Sequence, residues 1–338
     1  MSFLRLRSWA VWASLVGGLL YGGTALPAGG IGGTGISAYG PIERFGSVFV
    51  DGQEYRLRHA HINTDGRPAR RAALHRGQLV LVRARRVRGH IDAWTVSVRH
   101  AIEGPVTRAD GGTLTVLGQR VSRAHARTDF SWSTLRPGDV VRVSGFAVGR
   151  RTWVATRIHR VYRRQDRPRH YPLLLRGVLR MNPGGERIVR GVPAAEASGR
   201  AQPGQPVVLW GFGGVQHLHW TRVVADPLLL GPAGTQVDLT GYVRQGGRGW
   251  QQNHVPLRFG VQPPAPRVLV SVRGFVRRGG VVAVSKFHPV SPEGVAAPPS
   301  VPLEEQRPRE LSQPPERPEL ERPPVLSRPQ IERPERGH

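Results

Sequence analysis

The sequence predicts an all-β fold of four tandem units, each about 60 residues long and curled into a small β-barrel. One strand phrase carries the repeat. LRPGDVVRVSGF (135–146) returns as LHRGQLVLVRAR from Leu74, AQPGQPVVLWGF from Ala201 and PAPRVLVSVRGF from Pro264, and placing Gly77, Gly138, Gly204 and Arg267 in register gives spacings of 61, 66 and 63 residues. The second observation is the alternation within that phrase. Val80/Val82, Val141/Val143, Val207/Leu209 and Val270/Val272 are apolar in every copy, whereas Leu81/Arg83, Arg142/Ser144, Val208/Trp210 and Ser271/Arg273 between them are mixed. A period of two with one constant face is the pattern of a strand with its apolar side on a core.

Residues 1–28 read as an export signal. Arg5 and Arg7 precede an apolar run beginning at Trp9, and the small-residue stretch GGTALPA supplies cleavage positions after Ala25 or Ala28. The alternative is an uncleaved anchor, but the run is short for a bilayer and broken by glycines. Export to the periplasm or envelope is the expected localisation, with membrane contact only through this segment. Residues 29–39 read as a Gly-rich linker. Its formal G-x-G-x-x-G at Gly30, Gly32 and Gly35 has neither a preceding strand nor a following helix, so no nucleotide cofactor is expected.

The four units are then placed at 40–102, 103–162, 175–227 and 238–290. Each opens on glycine (Gly40, Gly104, Gly177, Gly241) and a hairpin whose turns are rich in Gly, Asp or Asn, as at Asp51-Gly52. Gly145, Gly211 and Gly274 follow the repeated strand and predict a bulge or bend that curls the sheet; Phe146, Phe212 and Phe275 beside them are expected to plug the barrels. The basic stretch 163–174 reads as a linker dividing the units into two tandem pairs, one with two and three with four. Residues 291–338, dominated by Pro, Glu and Arg, cannot assemble a core and read as a disordered tail.

The stretch from Gly29 to about Val161 resembles a bacterial exported family known as domain of unknown function 5666, on GGIGGTGI after an export signal, GPIERFGSVFVDGQEY, GPVTRADGGTLTVLGQ and LRPGDVVRVSGF followed by VATRI. The resemblance implies a secreted or envelope protein built from tandem OB-like β-barrels. It brings no catalytic residues with it.

Net charge is +26, and Lys286 is the only lysine, so the charge is almost entirely guanidinium. The tail's seven arginines are offset by nine glutamates, which concentrates the positive charge in the barrel region. Planar guanidinium forks suit phosphate and carboxylate, so the expected partner is an anionic polymer, with an envelope protein as the other candidate. Arg83, Arg142, Arg157, Arg222 and Arg273, with Trp153 and Trp210, are the candidate ligand-binding residues, because arginine and exposed rings on a curved sheet hold single strands or sugars.

No paired carboxylates, nucleophile elbow or phosphate loop stands out, and the reading is of a protein that is not an enzyme. The histidine pairs His59/His61 and His217/His219 can each face one way from a strand, but with no cysteine and no clustered carboxylate to complete a set, no metal is expected. Two functions follow: a noncatalytic exported module binding envelope polysaccharide or nucleic acid, and, alternatively, a structural or assembly protein of the envelope with the repeats as spacers and the tail as a docking segment.

Overall fold

The structure, a computed structural model, describes residues 35–290 except 124, 215, 216 and 248. The export segment, most of the Gly-rich linker and the tail lie outside the described residues. Within them there are strands and short 3-10 turns, and no helix is long and apolar enough to cross a membrane.

Unit one supplies β1 (Ile36–Pro41), β2 (Val48–Val50), β3 (Gln53–Tyr55), β4 (His61–Thr64), β5 (Arg67–Pro68), β6 (Leu79–Val87) and β7 (His90–Val98). Unit two supplies β8 (Ile102–Asp110), β9 (Thr113–Val116), β10 (Gln119–Ser122), β11 (Arg127–Thr128), β12 (Val140–Ala147) and β13 (Thr152–Tyr162). Unit three has β14 (Tyr171–Met181), β15 (Arg187–Val189), β16 (Val192–Pro193), β17 (Pro206–Gly213) and β18 (Leu218–Ala225). Unit four has β19 (Gln236–Gly246), β20 (Gly249–Gln252), β21 (Val255–Phe259), β22 (Leu269–Val276) and β23 (Val282–Pro289).

Units two and four are closed five-stranded barrels. Going round unit two the order is β8, β9, β10, β13, β12 and back to β8, with β10 and β13 parallel and the other pairs antiparallel. Unit four repeats this through β19, β20, β21, β23 and β22, its parallel step falling between β21 and β23. This is the OB-like arrangement in which the third strand meets the fifth. Unit three keeps the order with its parallel step reduced to a single bridge, Ser198 with Arg222, whereas in unit one β2 and β3 form a two-stranded sheet of their own, joined to β7 by the bridge of Arg56 with Asp92.

The repeat extends to backbone conformation. Gly77, Gly138, Gly204 and Arg267 all have positive φ, between +66° and +93°, and their amides donate to Ile42, Val106, Leu179 and Val243 at 2.7–2.8 Å. Each turn thereby ties the repeated strand to the unit's own first hairpin. A left-handed conformation explains the glycine in three copies, and Arg267 adopts it in the fourth. The hairpins β2–β3, β9–β10, β15–β16 and β20–β21 also share one turn, with positive φ at both central residues: Asp51-Gly52, Leu117-Gly118, Arg190-Gly191 and Asn253-His254. In units two and three the first turn residue folds over the opening glycine, where a Cβ on Gly104 or Gly177 would stand 2.8 Å from Leu117 or Arg190.

The predicted bulges are present. Pairing slips by one residue at Arg83/Ala84, Ser144/Gly145, Trp210/Gly211 and Arg273/Gly274. The phenylalanines, however, do not plug the barrels. Phe146 lies on the face of Arg142 and Ser144, opposite Val141 and Val143, so it leaves its own barrel and packs into unit four's core against Tyr242 at 6.3 Å. Phe212 and Phe275, on the same outward face, are exposed.

The division into tandem pairs is also corrected. β1 runs parallel to β19, joining unit one to unit four, and β8 pairs antiparallel with β14, joining unit two to unit three. The pairing is nested. Units two and three share one continuous core, from Ala101 to Val223, whereas unit one has its own and unit four's takes in Tyr39, Leu79, Leu81 and Phe146. β1 and β14 also claim residues assigned to linkers, since Ile36–Pro41 is buried throughout and Tyr171 already pairs with Gly213. β1 is buried on both faces, which leaves no alternation to announce it.

Candidate functional site

The barrels' outward faces carry the arginines, and cross-strand neighbours decide which of them keep a free charge. Arg142 on β12 stands opposite Glu103 on β8 and donates two hydrogen bonds of 2.8 Å to its buried carboxylate. Arg273 on β22 likewise faces and pairs with the buried Asp238 on β19. Arg157 is largely buried, donates to the Arg76 carbonyl at 3.3 Å and lies 3.8 Å from Asp129. These three predicted site residues are neutralised within the fold.

Arg83 differs because of one exchange. It occupies in unit one the position of Arg273 in unit four, but the residue opposite is Ser37 where unit four has Asp238. Arg83 therefore has no acid across the ladder, and among the described residues it donates to the Leu229 carbonyl at 2.8 Å. Trp210 holds the same repeat position in unit three. Arg83 and Trp210 meet across a groove of about 870 Å³ between units one and three, and the exposed Arg222 lines it too. Arg67, which the sequence reading missed, completes the set with its guanidinium 5.3 Å from the Trp210 ring. Arg67, Arg83 and Arg222 have no carboxylate partner among the described residues.

At its inner side the groove reaches a buried ionic cluster. Arg176 bridges Asp65 at 2.8 Å and Asp226, Arg99 pairs with Asp226 at 2.7 Å, and His100 Nδ1 meets Asp65 at 2.6 Å. Burial acts to raise the Asp65 pKa, but His100 and Arg176 outweigh it and hold the carboxyl well below the usual carboxylate range. This cluster pins unit three to unit one and sets the groove's floor.

Arg99, Arg176 and Asp226 also border a second space on the far side, a cavity of about 670 Å³ to which all four units contribute. Trp153 belongs here. It was expected as an exposed ring, but it is 5% exposed because Arg190 covers it, with the guanidinium 4.0 Å from the ring centre. The seven predicted residues thus divide: Arg83, Arg222 and Trp210 gather in one groove, Trp153 lines the cavity, and Arg142, Arg157 and Arg273 lie apart from both. Among the described residues, no three His, Asp or Glu side chains gather as metal ligands.

Fold and site together define a protein of tandem OB-like β-barrels with an arginine-lined groove between two of them. Residues 103–159, which make up nearly all of unit two, match the family described as domain of unknown function (DUF5666), and that segment is a domain of this family. No curated protein and no solved structure matches the chain.

Proposed function

We propose that this is an exported, noncatalytic binding module that grips an anionic polymer, an envelope polysaccharide or a nucleic acid, in the groove between units one and three. The observation that carries the reading is the convergence there of Arg67, Arg83 and Arg222 around Trp210, none of them with a carboxylate partner among the described residues, since the groove's Asp65 and Asp226 are engaged by His100, Arg99 and Arg176. Guanidinium forks spaced along a groove suit successive charged groups on a chain, and the half-buried indole offers a face to a base or a sugar ring. The pairing of Arg99 and Arg176 with Asp65 and Asp226 makes the floor rigid, so the strands that carry the free arginines are set before the polymer arrives.

Retention of the full chain on heparin and on single-stranded DNA, followed across a salt series, tests this. The expected result is affinity that falls steeply with salt on at least one polymer, and a shallower slope, by about two to three, for the Arg67→Ala/Arg83→Ala/Arg222→Ala variant. Equal retention of variant and parent on both polymers would sink the proposal.

A further inference from the structure

The cavity where the four barrels meet is separate from the groove and differently built. Two guanidinium groups reach it from different units and are fastened to the same hairpin of unit two. Arg190 donates to the carbonyls of Gly149 and Arg150 at 3.0 and 2.9 Å, and Arg244 donates to the Ala147 carbonyl at 2.6 Å. Arg180 lines the same space. None of the three has a carboxylate partner among the described residues, and Asp226, the cavity's acid, is engaged by Arg99 and Arg176. Carbonyl partners fix the forks in position without cancelling their charge. Burial, and then the repulsion of Arg244 and Arg180, drags the Arg190 pKa down to about 9.

A further observation points to a ligand. His254 also borders the cavity, and it stands where the equivalent turns of the other three units have Gly52, Gly118 and Gly191, all at positive φ. Its own φ is +67°, a conformation in which glycine is unstrained and histidine is not. The backbone accepts strain here to keep an imidazole at the cavity's edge.

We propose that this cavity is a binding site for a small, multiply charged oxyanion, with Arg190, Arg244 and Arg180 clamping its charge and His254 donating to one of its remaining oxygens. Donors line the space in excess of acceptors, and its volume suits a small molecule rather than a polymer. Diphosphate and tricarboxylate groups share this chemistry.

The test titrates the full chain at low salt with inorganic pyrophosphate and, separately, with citrate, following heat of binding and melting temperature. Saturable binding of at least one probe with a raised Tm is expected, and the stronger of the two assigns the source. His254→Gly is expected to melt at or above the parent's temperature and to bind about tenfold more weakly, a combination that a merely structural role does not produce. Arg190→Met is expected to abolish binding, and the Arg67/Arg83/Arg222 alanine variant to leave it unchanged. No binding of either probe at millimolar concentration, undiminished affinity in His254→Gly, or loss of binding in the groove variant instead would each overturn the proposal.

Discussion

Asp65 shows how much one carboxyl can govern in a protein this basic. Its side chain is 6% exposed, it pairs with His100 from its own unit and Arg176 from another, and it also accepts from the His100 amide at 2.9 Å. Because its pKa is lower in the folded protein than in the unfolded chain, it stabilises the fold in full above about pH 4 and loses that contribution as the pH falls toward its folded value. Asp65→Asn is expected to cost about 3–5 kcal/mol at neutral pH, the cost of stranding buried partners, with the deficit against the parent narrowing in acid. Urea midpoints at pH 7 and pH 3 measure this. A deficit that stays constant across that range would show that the carboxyl's charge is not what matters.

At the level of the strand, identical arginines have opposite roles, and the residue across the ladder decides which. Arg142→Ala and Arg273→Ala each leave a buried carboxylate, Glu103 or Asp238, without its cation, and each is expected to lower stability by about 2–3 kcal/mol while sparing polymer binding. Denaturant midpoints beside heparin retention separate the two effects, and a variant that stays stable but loses retention would reverse the assignment. Sequence alternation showed that these arginines point outward, which was correct. It could not show their partners, because cross-strand register joins positions far apart in the chain, as with Ser37 and Arg83 or Asp238 and Arg273. The same alternation, followed two residues further, already placed Phe146 on the outward face. A signal for His254 was present too: aligning the four hairpin turns shows histidine where the other copies have glycine.

For the whole molecule, the repeat made the all-β architecture legible, down to Arg267 standing in for glycine in a left-handed turn. The nesting of the units was not legible, since pairing between barrels is set by which edges and faces match rather than by period. It has a direct consequence for dissection. Separating the chain at 163–170 cuts β1 from β19 and β8 from β14, exposing an edge on each fragment and opening the shared core of units two and three. Residues 29–162 and 171–338 made singly are expected to lack a cooperative melt and to regain one when produced together. Sharp, independent transitions in both fragments would restore the tandem picture.

The parallel contact of β1 with β19 also sets an order of events in time. Ile36 finds its partner at Gln236, about 200 residues later, and at a synthesis rate of roughly 5–20 residues per second that means a wait on the order of 10–40 s. Throughout it, the flank of unit one that β19 will cover is an open template, and an apolar strand of that kind recruits whatever strand arrives first. The first of the described strands is thus among the last to be completed, and a helper that shields it until unit four emerges is expected to raise the yield of folded protein.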